Sequence, residues 1–326
     1  MPHVRRGVAP PTISLMRLRS GLAVLPLVLV PLAACAPQDS STTASDDETT
    51  SAPPSDTGSV SVEPSPTDSA TAPAALMSPE CTSALKNAGQ LTVGTDSPAY
   101  DPWFSDNNPS NGKGFESAVA YAVADKLGFS SDQVKWVKVP FNTSYKPGDK
   151  DFDFDINQIS ITPERAKVVD FSDGYYTASQ AVIAMKDSDI AKATSLADLA
   201  SYKLGAQTGT TSLQVIRDDI QADQDPAVFE DTNAAKQALV NGQVDGIVAD
   251  LPTAFYISAA EIKNSVIVGQ FESASSHPEQ FGMLFGKGDP LVSCVDAALA
   301  EMKSDGTLDQ IQQQWLSDAV DVPVLQ

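Results

Sequence analysis

The chain has 326 residues, 42% hydrophobic and 19% charged, enough to bury one large core or two medium ones. Lys and Arg number 21 against 42 Asp and Glu, a formal charge of -21 that repels a phosphate backbone, so no nucleic acid partner is expected. The only histidines are His3 and His277, which excludes a multi-histidine metal site and leaves His277 as the sole base for any Ser-His-Asp triad.

Residues 1–34 read as a secretory signal, with Arg17 and Arg19 ahead of an uncharged apolar run over residues 22–34. That run is too short to span a bilayer core of about 30 Å as a helix. Met16, just before the charged pair, is an alternative start to Met1. The segment closes on Leu32-Ala33-Ala34-Cys35, which resembles the lipobox of bacterial lipoproteins. The resemblance implies cleavage before Cys35 and diacylation of its thiol, and two acyl chains suffice for stable anchoring. An ordinary signal peptide with an incidental cysteine is the alternative. Loss of the segment removes Arg5, Arg6, Arg17 and Arg19 and leaves the mature chain with 17 basic against 42 acidic residues.

Residues 36–79 contain 17 Ser or Thr, 7 Pro and 7 acids, with no Lys, Arg or aromatic residue. So little apolar surface cannot offset the entropy of ordering, and residues 35–79 are expected to be a disordered tether. Its coil dimension, roughly 35–40 Å, would hold a folded module away from the membrane. With Cys35 lipidated, Cys81 and Cys294 remain as an even pair in an oxidising compartment. A bridge between them would tie the start of the folded part to a late helix and contribute about 2–4 kcal/mol. Two separately buried thiols are the alternative.

From residue 88 strands and helices alternate. Residues 91–95 form a short apolar strand. Gly114 precedes a helix whose apolar positions Phe115, Val119, Ala122 and Val123 follow helical spacing, stopped by Gly128. Further strands are expected at 135–139, 203–206 and 244–249, and helices at 210–220, 233–240, 253–260, 290–303 and 307–316. The alternation argues for an α/β architecture with mainly parallel sheets. Asp149, Asp151, Asp153 and Asp155 alternate like half a calcium loop. Counted from Asp151, the Gly at the sixth and the Glu at the twelfth position are lacking, so the stretch reads as a strand with one polar face and no metal is assigned. There is no P-loop and no dinucleotide fingerprint, and no cofactor is expected.

Several stretches together resemble one family: Thr95-Asp96 with Tyr100-Asp101-Pro102-Trp103, Gly114-Phe115-Glu116, and Ser160-Ile161-Thr162-Pro163-Glu164-Arg165. Gly205-Ala206-Gln207-Thr208-Gly209-Thr210-Thr211, Val244-Asp245-Gly246-Ile247-Val248-Ala249-Asp250 and Lys303-Ser304-Asp305-Gly306-Thr307-Leu308 continue the series. In order and spacing, residues 88–316 are similar to the polar amino acid binding proteins of ABC importers, extracellular solute-binding family 3, such as glutamine- and histidine-binding proteins. The resemblance implies a type II periplasmic-binding-protein fold, two lobes joined by two crossover strands, here at 180–186 and 280–287. Lobe 1 would be residues 80–183 plus 281–326 and lobe 2 residues 184–280. The lobes would close over a free polar amino acid by hinge motion, and the closed form would dock on the permease subunits of an ABC importer. A monomer, lipid-anchored to the outer face of the cell membrane, is expected.

A free amino acid carries a carboxylate and an ammonium on one carbon, so its site needs opposite charges close together. By the resemblance Arg165 is the carboxylate-binding residue, and its planar fork can hold both oxygens. Ser160 adds a hydroxyl at that end. Thr210 and Thr211 open a helix whose free N–H groups and dipole favour an anion. Asp250, at the end of a strand, matches the acid that accepts the ammonium, and Asp96 the residue that faces the ligand side chain. Tyr100 and Phe141 are expected to sandwich the side-chain stem, while Trp103 packs in the core. Asn157-Gln158 replaces a small pair common in relatives, and Gln158 and Gln207 are candidates for reading a polar ligand tail. Residues 142–151 are expected to form a loop. The expected function is extracytoplasmic capture without chemistry. The alternatives are a cyclohexadienyl-dehydratase-like enzyme on the same fold, which needs a general acid in the cleft, and a ligand-sensing lipoprotein.

Overall fold

The computed structural model describes residues 76–274, 277–316 and 322–326. The expected signal, Cys35 and the tether up to residue 75 lie outside the described residues. In chain order the strands are β1 (Leu91–Thr95), β2 (Val134–Lys138), β3 (Phe154–Asp155), β4 (Asp170–Phe171), β5 (Tyr176–Ala178) and β6 (Gln180–Met185). They continue as β7 (Leu204–Gln207), β8 (Ala227–Phe229), β9 (Gly246–Asp250), β10 (Ser265–Phe271), β11 (Glu279–Phe281) and β12 (Leu284–Phe285). The helices are α1 (Pro79–Ala84), α2 (Phe115–Lys126), α3 (Phe141–Ser144), α4 (Pro163–Ala166) and α5 (Leu196–Leu199). After them come α6 (Thr211–Asp218), α7 (Thr232–Val240), α8 (Leu251–Tyr256), α9 (Leu291–Ser304) and α10 (Thr307–Leu316).

Two five-stranded sheets result, in the orders β2-β1-β3-β12-β4 and β10-β6-β9-β7-β8. β1 lies parallel between β2 and β3 and is buried along its whole length, Thr92 and Thr95 included, as a strand covered on both faces is. In the second sheet β7 is parallel to β8 and β9, and β6 is antiparallel to β9 and β10. The antiparallel members, β6 and β12, are those reached directly from the chain's two passages between the sheets. Between the sheets in sequence, β5 and β11 form a separate antiparallel pair, Tyr176↔Phe281 to Ala178↔Glu279. β5 lies just before the crossover expected at 180–186, which is strand β6 of the second sheet, and β11 overlaps the start of the one expected at 280–287. The fold is the two-lobed type II arrangement.

The first core surrounds Trp103, Phe115, Phe154, Phe281 and Phe285, with α2, α9 and α10 supplying Val119, Leu299 and Leu308. Trp103 is fully buried, edge-on to Phe115, Tyr176 and Phe281, the core role expected for it. Gly114, at φ 94°, opens α2, and a Cβ there would collide with Trp103 O, so glycine alone allows the tryptophan loop to lie against the helix start. Cys81 of α1 and Cys294 of α9 form a disulfide with Cα atoms 6.5 Å apart.

Four expectations change. The tether boundary at residue 79 falls too late: Leu76 and Met77 pack against the first core and Ser78 caps α1. The aspartate alternation is not one strand: only Phe154–Asp155 is extended, Asp149 and Asp151 are exposed, Asp153 accepts from Lys86 N and Thr92 N, and Asp155 is fully buried. The 142–151 segment begins with the single helical turn α3. Finally, the extreme C-terminus, expected with the first lobe, packs on the second sheet. Val324 bridges Gln270, and Leu325 seats against Gly269, where a Cβ would come within 2.6 Å of its Cγ.

Candidate functional site

Asp96 follows β1, Gln207 ends β7 and Asp250 ends β9, the carboxyl ends of parallel strands, where open α/β sheets present ligand-facing groups. All three line one cavity of about 70 Å³. Tyr100, Phe141, Gln158 and Ser160 reach it from the first lobe, and Thr210 and Thr211 from the second. Arg165 is not on its wall, but it is bonded to two residues beside it.

Arg165 sits in α4, a single turn with Pro163 at its start and Thr162 Oγ1 accepting from Arg165 N at 3.2 Å. Its guanidinium donates from Nη1 to Ser160 O at 2.7 Å and from Nη2 across the lobes to Gly209 O at 2.8 Å. The rings of Phe141 and Tyr145 lie 5.6 and 5.0 Å from its carbon. Phe141 thus lies against the arginine and also on the cavity wall, as Tyr100 does. Burial, at 8% exposure, pulls the guanidinium pKa down, opposed by Tyr145, Glu279 and Asp250. The approach of Gly209 needs glycine: its φ is 74°, and a Cβ would meet Tyr145 Oη.

At the polar end Ser160 Oγ and Thr211 Oγ1 lie 3.2 Å apart, one from each lobe. Both donate to Glu279 Oε1, at 2.5 and 2.6 Å. Gln180 joins the network, donating from Nε2 to Glu279 Oε2 at 3.0 Å and to Asp250 Oδ1 at 2.8 Å, while accepting from Ser212 Oγ. Burial drives the Asp250 carboxyl well above the carboxylate range and the charge of Glu279 adds to this, with Gln180 and Arg165 opposing. Among the described residues no Lys or Arg makes an ion pair with Asp250.

The remaining expected residues divide. Thr210 is the N-cap of α6, its Oγ1 accepting from Leu213 N at 3.1 Å, so its hydroxyl serves the helix. Asp96 accepts from Ser97 N and Phe141 N, which orients the start of α3. Gln207 Oε1 accepts from Thr232 Oγ1 at 3.0 Å. Tyr100 Oη and Asn157 Nδ2, both on residues of the cavity wall, are buried without a hydrogen-bond partner. Lys236 Nζ lies 5.3 Å from the centre of the Tyr100 ring.

Gln158, at φ 47°, is held by a carboxylate beneath it: its N and Nε2 both donate to Glu116, which also accepts from Tyr175 Oη. Glu116 is fully buried, and burial pushes its carboxyl from 4.5 up to about 7 against those three bonds. Because the folded value is raised, the group's contribution to stability is complete below the unfolded value and is lost as pH rises through about 7. Asp155, fully buried and raised by the same cause, adds to that trend. Glu116→Gln, which does not titrate, is expected to flatten the pH dependence by up to about 1.4 kcal/mol per pH unit within this window. Urea unfolding of both proteins between about pH 5 and pH 8 checks this; parallel curves would refute it.

Glu279, Gln180, Ser212 and Glu116 were not among the expected site residues. Gln180 carried a weak signal, a lone amide heading the apolar run 181–184. Glu279 carried none, because its neighbours come from residues 160 and 211.

The model of the bacterial extracellular solute-binding proteins, family 3, matches residues 91–318. The ABC transporter glutamine-binding protein GlnH of Bacillus subtilis is 31% identical over 219 residues, covering 66% of this chain and 77% of its own. Among solved structures, an ancestral arginine-binding protein bound to glutamine aligns with TM-score 0.59 and 34% identity, over 70% of this chain and 98% of its own. The ancestral amino acid-binding protein AncCDT-1, a precursor of cyclohexadienyl dehydratase, aligns with TM-score 0.57 and 34% identity, over 70% and 95%.

Proposed function

Because the chain belongs to the bacterial extracellular solute-binding proteins of family 3, as an amino acid-binding substrate-binding protein of ABC transporters, we propose that it captures a polar amino acid with an amide or cationic side chain and delivers it to an importer by closure of its lobes. The observation that carries this reading is Asp250, a half-buried carboxylate on the cavity wall that makes no ion pair with a Lys or Arg among the described residues. A ligand ammonium there would restore the charged form that burial disfavours. At the other end Ser160, the start of α6 and the nearby Arg165 offer donors to the ligand carboxylate. Asp96, Gln158, Gln207 and the unpartnered Tyr100 Oη and Asn157 Nδ2 line the space left for the side chain, and three of these five are amides.

The lobes in this reading are residues 76–178 with 282–316 and residues 180–278 with 322–326, bounds supported by the packing of Leu76 and Ala178 on the first core and of all of β6 in the second sheet. Cys35 carries the lipid, residues 36–75 tether the module, and the protein works as a monomer beside its permease. The pairing of an acid with an arginine suits a zwitterion and supports binding over catalysis, although one related ancestor is a dehydratase precursor.

A melting screen of the common amino acids tests the proposal. A ligand at a hundred times its dissociation constant adds about 2.7 kcal/mol, an expected rise of roughly 5–10 °C for a chain of this size. No shift with any amino acid, or turnover of prephenate or arogenate, would overturn it.

A further inference from the structure

Glu279 opens β11, the strand on which the chain returns from the second lobe, and Phe281 two residues on bridges Ser160. Backbone register therefore sets the Glu279 carboxylate beside the polar end of the site. It receives Ser160 Oγ and Thr211 Oγ1 on one oxygen and Gln180 Nε2 on the other. A hydroxyl has a single proton to donate. The protons of Ser160 and Thr211 are thus committed to a carboxylate of the protein itself, one from each lobe.

We propose that Glu279 is an internal competitor for the ligand's α-carboxylate, holding the two hydroxyls until a ligand claims them; this rests on the amino acid reading above. A ligand carboxylate has two routes. It binds beside Glu279 against like-charge repulsion, with Asp250 close by on the shared Gln180 amide, or it displaces the Glu279 side chain. Displacement has somewhere to go: Glu279 lies on the wall of a second cavity of about 420 Å³ that also touches Ser160 and Thr211. Either route weakens the grip on a carboxylate, so Glu279 sets how much of the ligand's affinity its carboxylate supplies.

Calorimetric titration of the full chain with L-arginine and L-argininamide, and with L-glutamine and L-glutaminamide, tests this in the wild type, Glu279→Ala and Glu279→Gln. Glu279→Ala is expected to tighten the carboxylate-bearing ligand about tenfold relative to its amide. Glu279→Gln, which keeps an acceptor without the charge, should fall between. Equal changes for acid and amide would make Glu279 a hinge latch and overturn the proposal, as would an unchanged or weaker amino acid affinity in variants with a native circular dichroism spectrum. Wild-type protein that responds to no amino acid removes the functional reading, and this proposal falls with it.

Discussion

Arg165→Ala is expected to weaken amino acid binding by at least about 2–5 kcal/mol, some thirtyfold to several thousandfold in the dissociation constant. Arg165 is 8% exposed, its guanidinium lies over the rings of Phe141 and Tyr145, and it bonds the backbone of Ser160 on the cavity wall. It also bonds Gly209 O of the other lobe, so its loss removes both an attraction for a ligand carboxylate and a tie that holds the lobes together. The buried Ser160 carbonyl would be left short of a donor at a cost of about 1–3 kcal/mol, so melting temperature must be measured beside affinity. Arg165→Lys separates the effects. A lysine keeps the charge but cannot bond Ser160 O and Gly209 O as a planar fork, and its binding should fall nearly as far. Calorimetry showing unchanged affinity in a folded Arg165→Ala protein would remove Arg165 from the site.

The sequence spelled out the strand-helix alternation because buried apolar residues mark the strands, Leu91 and Val93 in β1 and residues 181–184 in β6. It also marked most of the cavity wall, since Asp96, Gln207 and Asp250 each end a recognisable strand. It failed where the partner is distant in the chain. The period-two pattern at Asp153 and Asp155 implied water on one face. Neighbouring backbone takes that place for Asp153, an arrangement no local rule encodes. The tail over 322–326 is too short for periodicity, and its docking depends on the close approach allowed at Gly269, beside a register shift in β10. Glu279 belongs to the same class. Its carboxylate is a site group only because β11 runs beside Ser160 and α6 begins across the gap.

Removing the Cys81–Cys294 bridge is expected to lower stability by about 2–5 kcal/mol. The two cysteines are 213 residues apart, and closing so long a loop puts the chain-entropy estimate at about 5 kcal/mol, the upper end of that range. For a protein of this size the loss corresponds to a fall in melting temperature of the order of 10 °C. Cys81→Ala with Cys294→Ala is the suitable variant, because both positions are helical and buried and alanine adds no unpaired hydroxyl. Dithiothreitol should bring the wild type down to the same value, and identical melting of the oxidised, reduced and substituted proteins would refute the stabilising role. The bridge joins α1 to α9 within the first core, and neither cysteine lines the cavity, so amino acid affinity measured well below the melting temperature should not change. Arg165 would then govern binding and the bridge endurance, two properties that this chain assigns to different parts of one lobe.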